Sequence, residues 1–298
     1  VVGKVLTVEN GEAILNYGDA DIIGYGRSLV CDPDIAHKVE RDEPIRECLN
    51  CNKGCVDAIQ NRRYITCVLN AENGEEATMA IKPAEEKKNV VIIGAGVAGL
   101  EAARVAAIRG HKVDVYEKEE QIGGQIHLAA VPPRKDEILR SIEYFNAVLP
   151  GLGVNIHLNT EATPEIMNAA DAVIVAVGAH DMKLPIPGVD GTNVVSSWDV
   201  LSGKAEASGR CAVIGGGQVG TETAEYLLEK GCSVSIIEMM DKIANGESST
   251  ILPTILADFK AHDVKQYVNT KVSAIEAGAV KATQGEEEIT IPCDMVVM

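Results

Sequence analysis

The sequence predicts an α/β protein built from the end of a (β/α) barrel, a cysteine-rich segment and two Rossmann-like domains, the second nested in the first. Three observations carry that prediction. A strand, glycine turn, helix and strand beginning at Asn89 recur 121 positions later. Cys48, Cys51, Cys55 and Cys67 fall within a stretch of 20 residues. The residues before them read as strand, helix, strand, helix, a parallel β/α unit too short to bury a core by itself.

The chain has 298 residues, enough for two domains or a little more. Its 27 basic and 44 acidic residues give a formal net charge of −17. That excess of acid argues against nucleic acid or an anionic membrane as partner, because both need clustered cations. No apolar run reaches the ~20 residues that span a bilayer, and no signal-peptide pattern is present. Eight cysteines in such a chain point to reduced thiols and metal rather than disulfides, so the expected location is cytoplasmic. Val1 opens inside an apolar run without a starting Met, and Met298 closes inside another. A fragment of a longer protein is the expectation.

Residues 1–44 are expected to supply the barrel end. Strands are predicted over Val1–Leu6 and Ala20–Arg27, a helical turn over Glu12–Tyr17, and a helix after Asp32-Pro-Asp34 carrying Ile35, Ala36 and Val39. Loops after the last strands of such barrels commonly hold phosphate. There Gly26 would let the backbone approach and Arg27 could fork onto the oxygens, or Arg27 could simply close a salt bridge.

Residues 45–82 carry the four thiols, with Arg46, Lys53, Arg62 and Arg63 around them and Asn52 and Gly54 at the turns. Four thiolates suit an iron–sulfur cluster or a structural zinc. Zinc sites usually pair two Cys-x-x-Cys knuckles, whereas three cysteines within eight residues and a distal fourth suit a compact cluster better. Unligated cysteines are the third possibility. The stretch from Ala80 to Asn89 reads as a linker.

The first dinucleotide unit, residues 88–186, opens with Asn89-Val-Val-Ile-Ile, then Gly94-x-Gly96-x-x-Gly99, a helix of small residues, and a strand ending on Glu117. The second, residues 187–290, repeats this with Gly215, Gly217, Gly220 and Glu238. Each copy follows a strand, opens a helix and meets its acid about twenty residues on, which is the context the motif requires. The helix N-terminus offers N–H groups and positive dipole to a pyrophosphate, and the acid can accept from a ribose.

Only the first copy continues into a glycine pair, Gly123-Gly124-Gln125, and later into Gly178 at the end of an apolar strand. That difference assigns FAD to the first copy and a nicotinamide dinucleotide to the second. Glu238 would accept from a free 2′-hydroxyl and repel a 2′-phosphate, which favours NADH over NADPH. Residues 291–298 are expected to be the return strand to the FAD domain. No Cys-x-x-x-x-Cys flanks the first helix, so a disulfide-reductase mechanism lacks its essential part.

With these parts in order the chain resembles the iron–sulfur flavoenzymes of the NADH:flavin oxidoreductase group, which include 2,4-dienoyl-CoA reductase, enoate reductase and trimethylamine dehydrogenase. The resemblance runs over the whole chain and is carried most specifically by Cys48-x-x-Cys51-Asn-x-x-Cys55 with Cys67-Val-Leu-Asn70. Gly74-Glu75 and Gly123-Gly-Gln125 also match, while Ala71 stands where the group usually has Pro. The resemblance implies a (β/α)8 barrel holding FMN in the intact protein, with Gly26 and Arg27 at its phosphate. It also implies a [4Fe–4S] cluster on Cys48, Cys51, Cys55 and Cys67.

The implied reaction passes electrons from NADH to FAD, to the cluster, to FMN, and on to an activated C=C bond of a small-molecule substrate of the enoate or dienoyl-CoA type. The residues that contact substrate are expected upstream of Val1, in the rest of the barrel. An amine dehydrogenase with reversed electron flow and a non-catalytic electron-transfer module are the alternatives. A homo-oligomer is a further expectation for the intact protein.

Overall fold

The computed structural model describes residues 3–298 and divides into two units. The first comprises the residues up to His127 together with Glu137–Gly178. The second comprises Leu128–Asp136 and Ala179–Met298.

The first unit begins with short helices α1 (Val8–Asn16), α2 (Arg27–Cys31), α3 (Ile35–Arg41), α4 (Val56–Gln60) and α5 (Glu76–Met79). Thr7 caps α1 by accepting the Asn10 N–H at 3.2 Å. Among the described residues, the strands expected here do not form. Val1 and Val2 lie outside the described residues, Gly3–Leu6 are irregular, and Ala20–Gly26 hold only a single-residue bridge at Gly24. A strand needs a ladder, and neither stretch has a neighbouring strand among the described residues. Val5 and Leu6 instead offer their carbonyls to the Ser28 hydroxyl at 3.2 and 3.1 Å. Arg27, expected at a strand end, is the first residue of α2.

After the linker come β1 (Asn89–Ile93), α6 (Val97–Ile108), β2 (Lys112–Tyr116), α7 (Ile126–Ala129), α8 (Arg140–Gly151), β3 (Asn155–His157), α9 (Pro164–Asn168) and β4 (Ala172–Val175). The four strands form one parallel sheet in the order β3-β2-β1-β4. Val90 and Ile92 on β1, Leu100 and Ala103 on α6, and Ile142, Phe145 and Leu149 on α8 bury a common core. The spacing of the α8 residues puts them on one helical face.

The second unit contains β5 (Val194–Val195), α10 (Ser197–Leu201), β6 (Arg210–Ile214), α11 (Gln218–Glu229), β7 (Ser233–Ile237), α12 (Leu252–Ala261) and β8 (Lys265–Tyr267). It continues with β9 (Thr270–Glu276), β10 (Ala279–Gln284), β11 (Glu287–Pro292) and β12 (Met295–Val297). A parallel sheet runs β5-β12-β6-β7-β8, and an antiparallel sheet β11-β10-β9 lies beside it in sequence. The internal repeat is also a repeat of register. Asn89 pairs with Lys112 and Ile93 with Tyr116, and 121 positions on Arg210 pairs with Ser233 and Ile214 with Ile237.

The closing strand departs from expectation. β12 pairs in parallel with β6 and β5 of the second sheet, so it is not a return to the first. Val296 and Val297 are fully buried there, with Val296 packed against Ala212 and Val297 against Val213. The second dinucleotide domain therefore runs through residues 291–298, past the boundary drawn at 290. Among the described residues, no helix is long and apolar enough to cross a membrane.

Candidate functional site

The two glycine turns are built alike. Gly94 and Gly215 adopt φ of +99° and +98°, a region few side chains tolerate. A Cβ on Gly99 would lie 1.9 Å from the Gly94 carbonyl oxygen, and one on Gly220 would lie 1.9 Å from that of Gly215. Each helix is thereby pressed onto its turn. A Cβ on Gly96 or Gly217 would meet nothing within 4 Å. These two residues stand immediately before α6 and α11 at the N-cap position, and neither helix has a side-chain cap. Open space against uncapped N–H groups is the cradle a pyrophosphate requires.

The acids close the turns. Glu117 is buried and accepts the Ala95 N–H at 2.7 Å and the Glu119 N–H at 3.0 Å, one at each oxygen. Glu238 accepts the Gly216 N–H at 2.6 Å and the Met240 N–H at 2.7 Å in the same manner. Each carboxylate oxygen keeps a further acceptor site for a ribose hydroxyl.

The copies differ where a flavin would need room. In the first, Gly123 donates to the Ala95 carbonyl at 2.8 Å and bridges to Gly96. Gly124 then lies close enough that its Cβ would touch the Gly96 Cα at 3.4 Å, and a Cβ on Gly178 would be 3.1 Å from the Gln125 amide nitrogen. Gly96, Gly123, Gly124, Gln125 and Gly178 therefore converge on one place. The His127 ring, which the sequence did not single out, holds this turn through the Ile122 carbonyl at 2.7 Å. In the second copy Ala244 takes the place of Gly123, donating to the Gly216 carbonyl at 2.6 Å. Ala244 also takes a positive φ, of +52°, so a small side chain stands where the first copy has none.

All four predicted cysteines line one small cavity, together with Arg27, Asn52, Gly54 and Thr66. Asn50 and Asn52 take left-handed conformations that fold the thiols inward. Thr66 donates to the Gly54 carbonyl at 2.7 Å, which brings Cys67 beside the first three. Backbone N–H groups point at the sulfurs: that of Asn50 at Cys48 (3.4 Å), that of Lys53 at Cys51, and those of Leu69 and Asn70 at Cys67.

Burial pushes the Cys48 and Cys51 thiols up, against the pull of these amides and, for Cys48, of Arg27. Cys67 is shifted down, chiefly because the Cys31 thiol donates to it, with amides and Arg46 adding to the effect against burial. Among the described residues, no three His, Cys, Asp or Glu side chains are set to share a single metal ion. A cubane places each thiolate on a different iron, so its ligands need not meet at one point. Four thiols around a cavity, amides aimed at sulfur, and two nearby guanidiniums fit such an anionic group.

Of the predicted cations, Arg46 is buried, donates to the Leu69 carbonyl at 2.7 Å and lies over the Tyr144 ring, while Arg63 pairs with Asp57 at 3.2 Å. Arg27 donates to the side-chain oxygens of both Asn50 and Asn52, so it joins the cysteine loop. The space beside Gly26 is open. Cys31 packs against Cys48 and Cys67.

Comparison with known proteins places these features. The sequence model of the pyridine nucleotide-disulphide oxidoreductase family matches residues 88–298. Bilirubin reductase of Mediterraneibacter gnavus is 49% identical over 301 residues, covering 100% of this chain and 47% of that protein. Cinnamate reductase of Clostridium sporogenes is 39% identical, covering 94% of this chain and 43% of that protein. A solved structure of 2-naphthoyl-CoA reductase with 2-naphthoyl-CoA superposes with a TM-score of 0.93 at 30% identity, over 99% of this chain and 46% of its own. The chain thus spans about half the length of the curated relatives it matches.

Proposed function

The chain belongs to the pyridine nucleotide-disulphide oxidoreductase family, and from that premise we propose that it is the electron-input half of a reductase acting on an activated C=C bond. FAD would lie on Gly94, Gly96, Gly99, Glu117, Gly123, Gly124, Gln125 and Gly178. NADH would lie on Gly215, Gly217, Gly220 and Glu238. Cys48, Cys51, Cys55 and Cys67 would ligate a [4Fe–4S] cluster, and Gly26 and Arg27 would meet the FMN phosphate of a barrel in the intact protein. The observation that carries this reading is the pair of open, uncapped glycine turns, of which only the first continues into a glycine pair.

When bound, these groups would supply hydride acceptance from NADH and its division into single electrons for the distant flavin. This chain's residues have the tasks of holding and tuning. The amides of the two turns would bind pyrophosphates, and Glu117 and Glu238 would orient the riboses while fixing the turns from behind. The amides at Cys48, Cys51 and Cys67, with Arg27 and Arg46, would offset the charge of the thiolates. α6 carries no cysteine, so a dithiol relay of the kind in the family's name has no residues to run on here. Bilirubin reductase and cinnamate reductase, at 49% and 39% identity, against 34% for an N,N-dimethylglycine/sarcosine dehydrogenase, support reduction over amine oxidation.

The cluster assignment is tested by iron analysis. The wild-type protein is expected to carry iron and inorganic sulfide, and Cys51→Ser to lose most of both with FAD retained. Stoichiometric zinc in the wild type would contradict it.

A further inference from the structure

Helix α8 serves two sets of partners. Ile142, Phe145 and Leu149 recur at helical spacing and join the core of the first parallel sheet. Ile142 also reaches the glycine pair, since a Cβ on Gly123 would lie 3.2 Å from its Cδ1. Arg140 and Tyr144, four residues apart, share a different side of the helix. Both hold the cysteine segment. Arg140 donates to the Cys48 carbonyl at 3.1 Å and pairs with Glu47 at 3.6 Å. Glu137, just before the helix, pairs with the same guanidinium at 3.6 Å and steadies it. The Tyr144 ring centre lies 5.4 Å from Arg46 Cζ and 5.7 Å from Lys38 Nζ. One helix of 12 residues thus touches the Gly123 turn through Ile142 and residues 46–48 through Arg140 and Tyr144.

We propose that Arg140 is a positioning residue that fixes the Cys48 loop at a set distance from the flavin turn, for electron transfer between FAD and the iron–sulfur group. This rests on the FAD and cluster readings above. Electron transfer across a gap weakens steeply with distance, so play in either partner slows it. A planar guanidinium that holds a carbonyl and a carboxylate together leaves the loop little play. The hold falls on the Cys48 carbonyl, not on its sulfur, so it places the loop without entering the ligand set. Arg140 exchanges no proton and takes no electron in this role.

The test compares the full-length holoprotein with Arg140→Met, Arg140→Lys and Tyr144→Leu, with iron and FAD content measured in parallel. Hydrogen exchange over residues 46–52, read by mass spectrometry, reports the hold on the loop. Stopped-flow mixing with NADH separates flavin reduction from the cluster reduction that follows. Arg140→Met is expected to speed exchange in that segment and leave flavin reduction unchanged. Its cluster reduction should slow about tenfold or more, as misplacement of reacting groups does. Arg140→Lys keeps the charge but not the fork, and should slow the same step less. Tyr144→Leu removes the second anchor and should move both readings in the same direction. Wild-type exchange and cluster reduction in Arg140→Met, with iron and FAD bound, overturn the inference while leaving the cofactor readings intact. A wild-type rate in Arg140→Lys beside a slow Arg140→Met assigns the effect to charge and also overturns it. Should Arg140→Met lose iron, its exchange and the rates of the other two variants decide by the same criteria. If the wild type holds FAD but no iron, the cluster reading falls and this inference falls with it.

Discussion

At the scale of single residues, Glu117 and Glu238 have two duties. Each fastens the backbone of its own turn, through Ala95 and Gly216, and under the proposed function each would also orient a ribose. Glu238→Ala is therefore expected to lower the ratio of kcat/KM for NADH over NADPH, measured side by side, and to loosen the turn as well. Gly217→Val fills space that is open in the structure. It should weaken NADH binding about tenfold or more, about 1.4 kcal/mol, with bound FAD unchanged, as read by fluorescence titration. Gly99→Ala forces a Cβ toward the Gly94 carbonyl. Its expected cost is on the order of 1–3 kcal/mol of stability, with loss of flavin, measured by thermal unfolding. These residues were legible because turn, helix and acid are contiguous and occur twice. Cys31 and the Arg27 bonds to Asn50 and Asn52 were not, because partners 17 to 36 residues apart leave no periodic mark.

At the scale of elements, β12 shows where pattern reading fails. An apolar run says that a strand is buried, not which sheet takes it. What places it is the clamp at its start, where Asp294 accepts from the Arg210 backbone at 2.9 Å and from its guanidinium at 3.1 and 2.7 Å. The Arg210 side chain and backbone hold the Asp294 carboxyl down at about 2, against an ordinary 3.8. A depressed carboxyl contributes stability that is present above its unfolded value and is lost as pH falls from about 4 toward 2. Asp294→Asn should flatten that acid limb in a pH series of thermal unfolding, while leaving the neutral-pH profile parallel to wild type. The alternation of β9 is interrupted where its pairing with β10 skips Ser273, a register shift between Lys281 and Ala282 that leaves no mark in the sequence. For the described part of the strands expected in the first segment the reason is the opposite: their residues suit a strand, but no ladder partner stands beside them among the described residues.

At the scale of the whole molecule, two parallel sheets repeat one strand-turn-helix-strand design 121 residues apart and differ in the loop that follows the acid, Gly123-Gly124 against Ala244-Asn245. Under the proposed function that divergence separates the FAD copy from the NADH copy, and the cysteine cavity would hold the group that takes the electrons on. The most direct measurement is an anaerobic titration of the full-length holoprotein with NADH, followed by visible absorbance and EPR. The account predicts that NADH bleaches the flavin and then yields the signal of a reduced iron–sulfur cluster, and that Cys51→Ser keeps the first change and loses the second. Flavin and iron both present yet left oxidised by NADH would contradict it.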